Sequence, residues 1–86
     1  MKNMMYELIP RPEQGQESFY GRAKVIILPD DTEQLYSYDK LICENHNGQI
    51  IRRWPDNKKL SMTTAKHIKA FCGMTRKEFL AIPYTE

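Results

Sequence analysis

The sequence predicts an α+β domain: a three-stranded antiparallel sheet followed by an α-helix and a short C-terminal helix. Three observations predict it. Residues 19–28 alternate in polarity with period two, Asn47-Gly48 lies between two apolar segments, and Ser61 to Gly73 is a helical repeat with a capping residue at each end.

In the first strand Phe19, Gly21, Ala23, Val25 and Ile27 share one face, and Tyr20, Arg22, Lys24 and Ile26 share the other. Pro29-Asp30-Asp31-Thr32 is a cluster of turn formers. The second strand runs from Leu35 to Glu44 and leads into His46-Asn47-Gly48-Gln49. Asn-Gly suits a two-residue hairpin because both loop residues need positive φ. With Asn47 and Gly48 as the loop, His46 faces Gln49, Asn45 faces Ile50, Cys43 faces Arg52 and Leu41 faces Trp54. Cys43, Leu41, Ile50 and Trp54 then share the core face. The first hairpin instead places Tyr36 and Tyr38 inward with Val25 and Ile27. Reconciling the two parities requires a bulge near Asp39-Lys40.

Pro55-Asp56-Asn57 breaks the third strand. Ser61 is the N-cap of the helix, Thr64, Ile68, Phe71 and Cys72 form its inner stripe with Ala65 at the edge, and Gly73 is its αL cap. His67 and Lys69 fall on the flanks, and Thr63 and Lys66 face outward. Thr75 and Glu78 form a capping box for the last helix, which Pro83 ends. Residues 1–17 read as an N-terminal arm, with Tyr6, Leu8 and Ile9 available to dock, and residues 18–86 as a single βββα(α) domain.

The chain has 86 residues, of which 41% are apolar and 28% charged, which suits one small globular domain. Its most apolar stretch, Val25 to Leu28, is far short of a membrane span, and the start has no secretory pattern, so the expected location is cytoplasmic. Cys43 and Cys72 are too few for a disulfide framework. Charge is uneven: residues 1–45 carry five Lys/Arg against eight Asp/Glu, whereas residues 46–86 carry eight against three. Such separation can steer a partner.

Three constellations of residues could carry chemistry. Cys43-x-x-His46 and His67-x4-Cys72 have zinc-like spacing, but the register turns Cys43 inward and leaves His46 at the hairpin end, so no metal is expected. No nucleophile has a base and an orienting third group, and no glycine-rich phosphate loop is present, so neither catalysis nor a cofactor is expected. The third is a basic run. Arg52, Arg53, Lys58, Lys59, Lys66 and Lys69, with Arg76 and Lys77 beyond them, can neutralise phosphates or meet an acidic protein surface. Tyr20, Arg22 and Lys24 on the outer sheet face would add an aromatic flanked by cations, usable for stacking on bases. Tyr36, Tyr38, Phe71 and Trp54 are expected in the core.

The succession Phe19-Tyr20-Gly21-Arg22-Ala23-Lys24-Val25, Leu35-Tyr36-Ser37-Tyr38-Asp39, Asn47-Gly48, Arg53-Trp54 and Ser61-x-Thr63-Thr64-x-Lys66-His67-Ile68-x-x-Phe71 resembles a group of small uncharacterised proteins of phages and mobile elements in Firmicutes. The resemblance spans roughly residues 18–81, with Lys66 where that pattern carries Arg. It implies a mobile-element origin. The expected function is therefore a non-catalytic binding protein that inhibits a host defence complex such as a CRISPR effector, with a host protein or ribonucleoprotein as partner. The alternative is a small nucleic-acid-binding regulator that uses the basic face. Salt dependence separates the two.

Overall fold

The computed structural model describes residues 3–16, 18–55 and 58–85. The Asp56-Asn57 part of the strand breaker, and Glu17 at the end of the arm, lie outside the described residues. The strands are β1 (Met4–Glu7), β2 (Ala23–Ile27), β3 (Glu33–Ser37), β4 (Lys40–His46) and β5 (Gln49–Arg52). They form one antiparallel meander in the order β1-β2-β3-β4-β5. The helices are α1 (Met62–Cys72) and α2 (Arg76–Leu80). The architecture is α+β, as expected, but the sheet has five strands and not three.

Both additional strands have a physical explanation. Residues 4–7, expected in an arm, pair along the edge of β2, with Tyr6 opposite Val25. All four side chains of β1 stay exposed, so no burial pattern marks the strand in the sequence. It is anchored just beyond its end, where Leu8 is buried and donates its N–H to the Ala23 carbonyl at 2.9 Å. The second additional strand comes from Leu35–Glu44, which is two strands joined at Tyr38-Asp39. These two residues have φ of 52° and 66° and form a tight turn without glycine. Aspartate visits the left-handed region more readily than most residues, and Tyr38 N–H is held by the Arg22 carbonyl at 2.9 Å.

The Asn47-Gly48 hairpin has the expected register: His46 faces Gln49, Asn45 faces Ile50 and Cys43 faces Arg52. Its loop residues have φ of 52° and 95°, and the Asn45 side-chain oxygen accepts the Gly48 N–H at 2.8 Å. The first hairpin has the opposite parity to the one expected. Ile27 pairs with Glu33 and Val25 with Leu35, so Leu35 and Ser37 turn inward, not Tyr36 and Tyr38. Tyr38 is exposed, and Tyr36 is only half-buried on the open face. The phase change expected near Asp39-Lys40 is made by the turn, followed by a bulge. Cys43 lies opposite Leu35 while Leu41 lies opposite Tyr36, which leaves Ile42 as the additional residue. Ile42 and Cys43 are therefore both buried, and Leu41 moves off the core face.

One sheet face carries the buried row Val25, Leu35, Cys43 and Arg52, flanked by Ala23 and Ser37. The helices cover this face. Ile68 of α1 and Phe79 of α2 are fully buried there, each worth about 1.5–3 kcal/mol of hydrophobic stabilisation. The other face stays open to solvent. Helix boundaries follow the expected caps. The Ser61 side chain accepts the Thr64 N–H, Gly73 takes the αL conformation, and Thr75 with Glu78 closes a capping box. His67 is a correction: it is fully buried rather than on a flank, because the Ser37 hydroxyl meets its Nδ1 at 2.8 Å. After α2 the chain returns to β5, where Thr85 N–H donates to the Arg52 carbonyl at 2.9 Å. Among the described residues no helix is long and apolar enough to cross a membrane.

Candidate binding groove

Met62, Ala65, Lys66 and Lys69 recur at helical spacing on the outer side of α1. A 3₁₀ turn, Pro12–Gln14, forms one wall beside them. It is tied to the helix by two side chains: Arg11 Nε donates to the Ala70 carbonyl at 3.3 Å, and Gln14 Nε2 to the Lys66 carbonyl at 3.2 Å. Thr75 and Arg76, at the start of α2, form the other wall. The Arg76 guanidinium donates from Nε to the Leu60 carbonyl at 3.4 Å.

The result is a groove of about 310 Å³, lined almost wholly by apolar surface, with Lys66, Lys69 and Arg76 on its rim. It continues past Met62 and Arg76 into a second depression bounded by Lys59, Leu60 and Ser61. Met62 stands between the two and is 78% exposed, an unusual degree for an apolar side chain ringed by cations. At the other end Lys66 also borders a small cleft lined by Tyr20, Arg22, Thr63 and His67. Among the described residues no acid lines any of these three depressions. Among the described residues no carboxylate lies within salt-bridge distance of Lys59, Lys66, Lys69 or Arg76. The nearby Glu78 carboxylate is drawn to the α2 cap, where it accepts the Thr75 N–H at 2.9 Å.

The basic residues expected to act together are dispersed. Lys59, Lys66 and Lys69 reach the groove, and Arg76 joins them. Tyr20 and Arg22 lie at its far end, on the helix side, and not beside Lys24 on the outer sheet face. Lys24 remains on the open face, 3.9 Å from Asp39. Lys58 sits 5.7 Å above the half-buried Trp54 ring. Arg53 turns to the open face and pairs with Glu44 at 3.0 Å. Arg52 is 2% exposed and belongs to the core: it donates to the carbonyls of Trp54, Leu80 and Ile82 and lies over the Phe79 ring. Sequence reasoning missed Met62, Thr63 and Gln14. Met62 was detectable, because it begins the i, i+3, i+4, i+7 set that includes Lys66 and Lys69.

The zinc-like residues are also separated. Cys43 is buried, and burial pushes its thiol well above the usual range. His46 is exposed at the hairpin and bonds Glu44 at 3.1 Å. Burial also raises the Cys72 thiol, and Sγ donates to the Ile68 carbonyl. Among the described residues no group of three or more His, Cys, Asp or Glu is placed to hold a metal ion.

Fold and site together define a class: a two-layer α+β module with one open sheet face and, across its helix layer, a cationic groove with an apolar floor. The chain belongs to the family of unknown function DUF8033, whose model matches residues 6–80. No curated protein and no solved structure matches it.

Proposed function

We propose that this protein is a non-catalytic binding module, of the phage or mobile-element kind its motifs resemble, that docks an acidic amphipathic segment of a host protein along the α1 groove. A defence ribonucleoprotein such as a CRISPR effector is the kind of host target such an element would need to block. One observation carries the reading: the 78% exposed Met62 sits on an apolar floor rimmed by Lys59, Lys66, Lys69 and Arg76. An apolar anchor within a charged rim is the anatomy of a protein interface, and methionine is enriched at such centres. A phosphate backbone would use the cations but has nothing to offer the methionine.

The test is capture from nuclease-treated host lysate, paired with titration of short duplex DNA and RNA near physiological salt. The expected result is a host protein retained despite nuclease, with Met62→Ser weakening its binding about tenfold or more. DNA and RNA should bind no tighter than ~10⁻⁴–10⁻⁶ M, the ordinary non-specific range. The reading fails if nuclease abolishes capture, or if capture ignores Met62→Ser. It also fails if a nucleic acid binds more tightly than that range and is lost on Lys66→Glu.

A further inference from the structure

The small cleft at the far end of the groove differs in kind from the groove itself. Its volume is about 160 Å³, and Phe19, Tyr20, Arg22, Thr63, Lys66 and His67 line it. The ring of His67 is 0% exposed, and among the described residues its Nε2 has no hydrogen-bond partner. A buried polar atom without a partner is uncommon and calls for an explanation.

A line of hydroxyls leads to the other nitrogen of the ring. Ser61 Oγ accepts the Thr64 N–H at 3.1 Å and donates its own proton to Thr64 Oγ1 at 3.1 Å. Thr64 Oγ1 lies 3.0 Å from Ser37 Oγ, and either hydroxyl can donate. Ser37 Oγ lies 2.8 Å from His67 Nδ1, and the ring tautomer decides which of the two donates. When the hydroxyls donate in sequence from Ser61 through Thr64 and Ser37, Nδ1 is the acceptor and the ring proton lies on Nε2. In that tautomer the unpartnered atom is an N–H donor, on the opposite edge of the ring from Ser37. Burial, aided by Arg22, lowers the His67 pKa to about 4, which keeps the ring neutral at neutral pH.

Arg22 and Lys66 add two cations to the same cleft, and Thr63 adds a hydroxyl. Arg22 is braced rather than loose: its guanidinium lies 5.7 Å above the Tyr38 ring, which in turn packs 5.9 Å from His67. Phe19 meets His67 edge-on at 4.5 Å and fixes the plane of the ring. An imidazole Nε2–H, a braced guanidinium and an ammonium around a small opening would match the oxygens of a tetrahedral oxyanion.

We propose that His67 carries its ring proton on Nε2 and that this cleft is a phosphoryl-binding subsite, in which His67 Nε2–H, Arg22 and Lys66 hold the oxygens. The volume admits the phosphoryl group and leaves any ester substituent outside, toward the groove. This inference does not depend on the partner suggested above, and either stands if the other falls.

The test is a long-range ¹H–¹⁵N spectrum of the imidazole rings of the whole chain, recorded while titrating at fixed pH and constant ionic strength. One arm uses inorganic phosphate and the other a nucleoside 5′-monophosphate. The chain has two histidines, so the exposed His46 serves as an internal control. Before ligand, His67 should show the Nε2–H tautomer. Its signals should then move saturably while those of His46 stay still. Saturation with inorganic phosphate assigns a free anion; saturation with the monophosphate alone assigns a phosphoryl carried on a larger molecule. Arg22→Gln should weaken binding about tenfold. Lys66→Gln, at an exposed position that folding does not need, should weaken it too. An Nδ1–H tautomer in the free protein would overturn the proposal. So would shifts that do not saturate in either arm, shifts equal at both histidines, or binding that ignores both variants.

Discussion

The cations of β5 and those of α1 come from the same basic stretch of sequence but meet opposite surroundings. Arg52 is enclosed by the carbonyls of Trp54, Leu80 and Ile82, and Arg53 lies against the Glu44 carboxylate on the open sheet face. Lys59, Lys66 and Lys69 project around a groove that, among the described residues, no acid lines. The first pair holds the C-terminal segment to the sheet, and the second set stays on the exposed outer side of the helix layer. Counting charge along a sequence therefore says little about function. What matters is whether the fold brings acceptors to each cation, and Arg recruits them more readily than Lys because its planar fork reaches several carbonyls at once.

The largest effect that would test this contrast is at Arg52. Arg52→Ala removes the buried guanidinium that serves the carbonyls of Trp54, Leu80 and Ile82, and we expect a loss of about 3–5 kcal/mol in denaturant unfolding. Such a loss is a large share of the stability of a domain this small. If the variant unfolds like the wild type, Arg52 does not pin the C-terminal segment and the contrast fails.

Acid should next separate the two layers. His67 is buried neutral, with its pKa lowered to about 4, so it binds protons in the unfolded chain before it does in the folded one. Its contribution is fully present above the unfolded value near 6.5 and is lost as pH falls from there toward about 4. The full loss is on the order of 3 kcal/mol, and His67→Gln should remove this limb of the stability–pH curve. Burial opposes the charge of Glu44, but hydrogen bonds from Gln34, His46 and Arg53 together outweigh it and hold the carboxyl below its usual range. Its contribution is present above the unfolded carboxylate value and is lost as pH falls below it. Glu44→Gln should therefore flatten only the more acidic limb. A pH scan of unfolding for wild type and the two variants checks both signs. Coincident curves would mean that neither group couples to folding.

The smallest effect is expected in the groove. Lys59→Ser and Lys69→Ser should each change stability by no more than about 0.5 kcal/mol, measured by thermal melting alongside Arg52→Ala. A cost at Lys69 comparable to that at Arg52 would make the groove lysines structural and remove the contrast.

How much of this was legible can be judged residue by residue. The Asn47-Gly48 hairpin, the Ser61 and Gly73 caps and the Thr75–Glu78 box appear where the sequence placed them, because each motif is complete within a few residues. β1 was not legible, since a strand with every side chain exposed has no alternation to detect. The Tyr38-Asp39 turn was concealed because neither residue is glycine, and missing it merged β3 with β4. The parity of β3 was lost with it, and Tyr36 and Tyr38 were placed where Leu35 and Ser37 belong. In the groove, the lysines were legible as a basic run, but their apolar centre, Met62, was not singled out.

By itself, then, the sequence determined the fold class, the caps, one hairpin with its register, and which half of the chain is basic. These depend on backbone preferences and hydrogen bonds between near neighbours, which are the same in any tertiary setting. Only the tertiary structure decided the fates of the polar residues. Arg52 and His67 are buried because distant segments bring carbonyls to one and a hydroxyl to the other. A charged or polar side chain enters a core only when partners are waiting there. No local pattern records them, since they lie up to 30 residues away along the chain.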